Sequence, residues 1–213
     1  MEAITIEMPT TLAERGAAPD ELRLLATWDE YVELAEKIPY NIEFLNGEII
    51  STSQATDLHG QLIARLITIF NNILDDRPDY RVLGSSVKIC VAEGGAEFNA
   101  DLSVLRGPSQ YATLPSGKIS TARIKNPEIV VEVLSKSTKA YDQSDKLDQY
   151  RLIPSLKHIL FVSQDTVFAR VYTRTDKPDQ WIDTDYRLLT DTILVGDMEL
   201  PMQKIYRKTV LSA

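Results

Sequence analysis

Cysteine is almost absent from the chain, and histidine and tryptophan occur only twice each. The lone Cys90, in VKICVA, cannot close an internal disulfide. That excludes a disulfide-stapled fold and fits a reducing cytoplasm, the expected compartment. Cys90 itself reads as a small buried strand residue. Two histidines far apart in sequence, His59 and His158, leave no zinc-binding spacing. No glycine-rich phosphate loop, Ser-His-Asp order or Cys-His pairing stands out. Long apolar runs are missing too: stretches such as LIARLITIF are short or broken by charge, so no membrane span is expected. The opening MEAITIEMPTTLAERG has no basic start followed by an apolar run, so no secretory leader is expected either. There is no internal repeat and no low-complexity tract.

What is present is an ordinary globular composition of 213 residues, 44% hydrophobic and 25% charged, enough for one packed core and a single domain over 1–213. The net charge of −8 disfavours a nucleic-acid partner at first sight, because phosphate contacts dominate such binding. The charge is unevenly placed, however. Residues 1–60 hold 12 acidic and 3 basic residues, whereas the remainder hold 19 and 20.

Local patterns give an element order. Residues 1–26 form an N-terminal arm of uncertain order, and TWDE at Thr27 is a capping box that starts a helix running to about Lys37. YNIEFLNGEIIST alternates around Asn46-Gly47, a strong hairpin signal. Asp57 is placed to cap a long helix whose Leu62, Leu66, Ile69 and Ile73 recur at helical spacing. YRVLGSSVKICVA, EFNADLSVLR and NPEIVVEVLS read as three strands, the first two joined by Glu93-Gly94-Gly95. AYDQSDKLDQYRLI then reads as a helix ending near Pro154, and KHILFVS and TVFARVYTR as two strands before a β-rich ending. The predicted class is α/β (α+β), with residues 40–173 as the core.

Two of these strands carry an acid among apolar residues: Glu132 in EIVVEVLSK and Asp101 in NADLSVL. A buried carboxylate without a partner costs at least several kcal/mol, so each needs a proton, a cation or a metal. If the strands are neighbours the two acids converge, and a pair about 4 Å apart repels by roughly 4 kcal/mol at an effective dielectric near 20. A divalent ion is one answer, since magnesium takes carboxylate oxygens and leaves room for phosphate. The other is that each acid meets an arginine or points to water.

Asp101, then Glu132 in VVEVLS, then the run Ser135-x-Ser137-Thr138…Asp142-x-x-x-Lys146-x-x-x-Tyr150 resembles the Uma-type endonucleases. These are a family of unknown function with the restriction-endonuclease-like core labelled PD-(D/E)xK. EFLNGEI, with Glu43 and Gly47, and His59 at the start of the long helix also match, over roughly residues 27–206. The resemblance implies a mixed β-sheet flanked by helices in the order helix-strand-strand-strand-helix-strand, with an N-terminal hairpin and a β-rich C-terminal extension. It implies a nuclease using Mg²⁺ or Mn²⁺, with Glu43, Asp101, Glu132 and Lys146 catalytic. Asp101, Glu132 and the carbonyl of Val133 would hold the metal, and His59 and Tyr150 would be accessory. Two positions depart from the pattern: Ala100 replaces the expected proline, and Leu134 stands where lysine is expected, moving the lysine role to Lys146 on the following helix.

Independently of the resemblance, RGPSQYATLPSGKISTARIKNP carries Arg106, Lys118, Arg123 and Lys125 with no acid, which makes the chain locally basic between its two candidate strands. These four are the expected nucleic-acid contacts, with Tyr111 offered for base stacking. The expected activity is therefore an endonuclease on nucleic acid, DNA in the first instance, acting as a homodimer without membrane attachment. The alternative is a catalytically inactive nucleic-acid-binding or regulatory protein on the same fold.

Overall fold

The computed structural model of the chain describes residues 8–53, 55–92, 94–136, 138–177 and 179–212. Part of the N-terminal arm is ordered secondary structure: α1 (Leu12–Ala17) opens on a Thr11–Glu14 capping box, and β1 (Glu21–Leu25) follows. The predicted Thr27 box is present as well: Thr27 Oγ1 accepts from the Glu30 amide at 3.3 Å, and Glu30 accepts from the Thr27 amide at 2.7 Å, starting α2 (Trp28–Ala35). β2 (Glu43–Leu45) and β3 (Glu48–Thr52) form the expected hairpin. Its turn places Asn46 at φ +48° and Gly47 at φ +88°, the left-handed pair that this dipeptide adopts at least cost. α3 (Asp57–Leu74) is capped by Thr56 rather than Asp57, the Thr56 hydroxyl accepting from the His59 amide at 3.1 Å.

The two long strands read from sequence are each broken in two. β4 (Tyr80–Gly84) and β7 (Leu102–Arg106) pair in one sheet; β5 (Lys88–Ala92) and β6 (Ala96–Phe98) pair in another. One long hairpin thus crosses between sheets, bending at Ser85 on one arm and at Asn99 on the other. The Asn99 side-chain amide donates to the Ser85 carbonyl at 2.8 Å and pins the bends together. Within the hairpin tip, Glu93 lies outside the described residues, as does Ser137 further on. The basic segment between the two acid-bearing strands forms β8 (Tyr111–Thr113) and β9 (Ile119–Ile124).

After β10 (Pro127–Leu134) the predicted helix is present but not uniform: α4 (Lys139–Tyr141), a π-helical turn (Asp142–Lys146) and α5 (Leu147–Tyr150) follow one another. β11 (His158–Ser163), β12 (Ala169–Arg174) and β13 (Trp181–Tyr186) extend the sheet, and β14 (Thr192–Val195), β15 (Met198–Pro201) and α6 (Met202–Ile205) end the fold. The six-stranded sheet runs β13-β12-β11-β10-β7-β4, with β10 and β11 parallel; the seven-stranded sheet runs β1-β3-β2-β6-β5-β9-β8. The fold is mixed α+β with mixed sheets.

Strand alternation divides β10 between two cores. Ile129, Val131 and Val133 pack with Leu62, Leu66 and Phe70 of α3, while Val130 and Leu134 pack with Tyr150, Ile153 and Phe98. Glu132 shares the second face, which explains how an acid comes to lie in a strand buried on both sides. No described helix is long and apolar enough to cross a membrane.

Candidate active site

The backbone brings the two acids together directly. Leu102 of β7 is opposite Val131 of β10, so Asp101 and Glu132 follow at the point where the ladder ends. Asp101 Oδ2 accepts the Val133 amide at 2.7 Å, and the Asp101 amide points at Glu132 Oε2 at 3.3 Å. A strand residue presents its N–H and C=O to the same side, so the Val133 carbonyl also faces the Asp101 edge. His59, on the first turn of α3, meets Asp101 Oδ1 through Nε2 at 3.1 Å.

Glu132 Oε1 accepts from the Tyr150 hydroxyl at 2.7 Å and from Lys146 Nζ at 3.2 Å. The same Nζ lies 2.8 Å from Glu43 Oε1 and 3.4 Å from Asp142 Oδ1. Glu43 reaches the site from the start of β2, where its Oε1 also accepts the Asn99 amide at 2.9 Å. Glu132, Lys146 and Asp142 are at most 5% exposed. Asp142 and Lys146, four residues apart, both turn inward from the π-helical turn. Such turns recur at functional sites.

One ammonium among three carboxylates sets the protonation. Burial pushes the Glu132 carboxyl well above the usual range; Lys146 opposes this, and Asp142, Asp101 and Glu43 add to it. Asp142 is raised for the same first reason. Burial works to depress Lys146, but Glu132, Glu43 and Asp142 outweigh it and hold the lysine well above its ordinary value. The charged lysine is therefore secure. Burial lowers His59, yet its hydrogen bond to Asp101 more than compensates.

These groups line a cavity of about 550 Å³, shared with Arg15, Asp20, Ser135, Lys136 and Gln164. Glu43 Oε2 is buried and has no partner, and His59 Nδ1 is in the same position. Three carboxylates and a backbone carbonyl on one cavity form a hard-oxygen donor set of the kind a divalent cation takes. Among the described residues, no three His, Cys, Asp or Glu side chains already stand as a ligand cluster. Two carboxylates and one backbone oxygen, with water in the remaining positions, is nonetheless an ordinary magnesium arrangement, and the residues fit it.

The basic candidates do not assemble here, and one of them, Arg123, requires correction. Arg123 is buried, with Nε 3.1 Å from both oxygens of Glu97, so its charge is spent inside the protein. Arg106 pairs with Asp79 and stacks on Tyr80 at the far end of β7, in a second cavity of about 500 Å³. Lys118 and Lys125 are exposed on the β8–β9 side and do not line the cavity around Glu132, which Lys136 lines instead. Behind Glu43 lies a network that sequence reasoning missed. Lys88 Nζ donates to the Ile42 carbonyl, Asn99 Oδ1 and the Tyr31 hydroxyl, and Tyr31 donates to Glu97 at 2.7 Å. Only the unusual glutamate in AEF, on a strand as apolar as that of Glu132, hinted at it.

The model of the Uma2 family, described as "Putative restriction endonuclease", matches residues 28–203. Two proteins of Synechocystis sp. are similar. "Uncharacterized protein sll1609" is 27% identical over 76% of this chain and 87% of its own length. "Uncharacterized protein slr1290" is 31% identical over 75% and 79%. The crystal structure of "a putative nuclease belonging to DUF820" from Anabaena variabilis superposes with a TM-score of 0.65 at 14% identity, covering 84% of this chain and 97% of that one, a likeness of fold.

Proposed function

From the premise that this chain belongs to the Uma2 family, described as "Putative restriction endonuclease", we propose that it is a divalent-metal-dependent nuclease that hydrolyses phosphodiester bonds, with DNA as its first expected substrate. The observation that carries the reading is the convergence of Glu43, Asp101, Glu132 and Lys146 on one cavity, reached from four separate segments of the chain. A fold needs no such convergence of acids for its stability.

In this reading Asp101, Glu132 and the Val133 carbonyl hold Mg²⁺ or Mn²⁺. The ion would lower the pKa of a bound water and offset charge on the phosphate. The Val133 amide and His59 fix the Asp101 carboxylate, while Tyr150 fixes Glu132, so the ligands keep their orientation. Lys146 supplies a positive charge beside the scissile phosphate, where charge grows as the nucleophile attacks. Glu43 holds that ammonium from the other side and would act as a proton acceptor at the edge of the cavity. A two-fold assembly would offer one such site to each strand of a duplex.

The test is incubation of the purified chain with single- and double-stranded DNA and RNA, in magnesium, manganese or chelator. Asp101→Asn and Glu132→Gln should each abolish metal-dependent cleavage while leaving thermal unfolding within about 1 kcal/mol of the parent. Full activity from either variant, with contamination excluded, sinks the assignment. A binding protein on the same scaffold is the second reading, favoured by the absence of a ready three-ligand cluster among the described residues. It gains if calorimetry finds no manganese uptake even with oligonucleotide present.

A further inference from the structure

Glu43 and Lys146 make the shortest contact of the Lys146 cluster, 2.8 Å, yet belong to different elements: the β2–β3 hairpin and the π-helical turn. Their separation depends on how those two elements are held together. The turn has little backbone rigidity of its own, because five residues of π-helix sit between two short helical pieces.

A single arginine joins the same two elements on their outer side. Arg23 of β1 gives one nitrogen to each of three acids. Its Nε lies 2.7 Å from Glu21 on its own strand, one terminal nitrogen 3.3 Å from Glu48 at the start of β3, and the other 3.2 Å from Asp145 in the π-helical turn. Its guanidinium also lies over the Tyr141 ring at 5.3 Å, immediately before the turn. β1 is itself fixed along β3 in antiparallel register, Leu25 opposite Glu48 and Glu21 opposite Thr52. Arg15 of α1 adds a second tether, buried against the Ser51 hydroxyl and the Ser51, Pro19 and Asp20 carbonyls, and it lines the catalytic cavity. Both arginines, with α1 and β1, precede residue 28, where the family match begins.

The geometry points to Arg23 as a positioning residue: the N-terminal arm is a clamp that sets the Glu43–Lys146 distance by tying the hairpin to the turn. Isolated surface ion pairs contribute little to stability, so a purely stabilising role for this exposed cluster would be weak. A clamp that fixes two reacting groups is different, since displacement by about 1 Å can cost on the order of a hundredfold in rate. The forked guanidinium gives each acid its own directed nitrogen, a geometry that a single ammonium at the same site would not reproduce.

This inference rests on the nuclease reading, and the test separates the two. Arg23→Gln and Arg23→Lys are compared with the parent by amide hydrogen exchange and by cleavage kinetics on a labelled oligonucleotide in manganese, well below the unfolding temperature. For Arg23→Gln, exchange across residues 139–150 should rise about tenfold while residues 48–52 keep their protection. Its kcat should fall at least about tenfold with KM within about twofold, and Arg23→Lys should recover only part of the loss. Unchanged exchange in the turn, or kcat per folded molecule equal to the parent, overturns the clamp. So does uniform loosening of the whole chain with kcat preserved, the mark of a merely structural residue. A parent protein that cuts nothing overturns the nuclease reading and the catalytic role of the clamp with it, while the exchange comparison still decides whether Arg23 holds the turn.

Discussion

Replacing Lys146 with methionine removes a charge but little volume, and its consequence can be worked from three distances. The ammonium is 2.8, 3.2 and 3.4 Å from Glu43, Glu132 and Asp142. At about 3 Å and an effective dielectric near 20, each contact is worth roughly 5 kcal/mol before desolvation. Their sum far exceeds any net effect, because the acids in the variant relax by taking up protons. The loss on removing one partner from a buried ionic cluster is about 3–5 kcal/mol. That corresponds to a fall of roughly 6–20 °C in the unfolding temperature for a chain of this size.

The sign with pH follows from the same cluster. Without the lysine, burial and the repulsion between acids push the Glu132 and Asp142 carboxyls further up, so their folded-state pKa values exceed the unfolded ones. The folded variant then binds protons that the unfolded chain has released. Stability is fully present below the unfolded pKa and is lost as pH rises through the folded values. The variant should therefore be close to the parent near pH 5 and furthest below it near pH 8. Urea unfolding at both pH values measures the difference. A deficit under about 1 kcal/mol at pH 8, with no trend toward pH 5, would refute the reasoning and place Lys146 outside the acid cluster.

Two further outcomes test other parts of the structure. Arg123→Met should cost about 3–5 kcal/mol in urea unfolding by leaving Glu97 buried and unpaired, yet leave oligonucleotide affinity within about twofold; a weakened affinity in a stable variant would restore Arg123 as a nucleic-acid contact. Burial brings Lys88 down to about 8, against the pull of Glu97 and Glu43, so the folded chain holds fewer protons than the unfolded chain between there and 10.5. The parent should gain stability as pH rises through that window, and Lys88→Met should lack this part of the rise; parallel pH slopes would show that the amine is solvated.

How much of this was legible depended on whether the determining interaction was local. The Asn46-Gly47 turn could be read because positive φ is a property of the residues themselves, and α3 because its apolar spacing is self-contained. Glu132 could be singled out because an acid in an apolar strand is costly whatever surrounds it. The breaks at Ser85 and Asn99 could not be read, since each half-strand has the same propensities and only the partner sheet differs. The basic segment misled for a related reason. Its lack of acids is a fact about neighbours in sequence, whereas the counter-charge of Arg123 comes from Glu97 on a distant strand segment, and that of Arg106 from Asp79. Asp142 was not singled out as a site residue, because nothing in DQSDK announces the π-helical turn that brings it against Lys146.

Charge balance separates the two readings of the site. Elsewhere inside this protein a buried acid is matched: Glu97 has Arg123 and the Tyr31 hydroxyl, and its arginine touches both oxygens. Around Lys146 the matching fails. Glu43, Asp101, Glu132 and Asp142 share one lysine and one histidine, one carboxylate oxygen is left without a partner, and burial holds two of the carboxyls above their usual range. A cluster that served only to hold elements together would gain stability by losing an acid, because buried ion pairs are at best neutral against apolar packing. An excess of acid is a cost to the free protein that a bound cation would relieve. Both clusters are buried, but the unbalanced one also lines a cavity, whereas the matched Glu97–Arg123 pair does not.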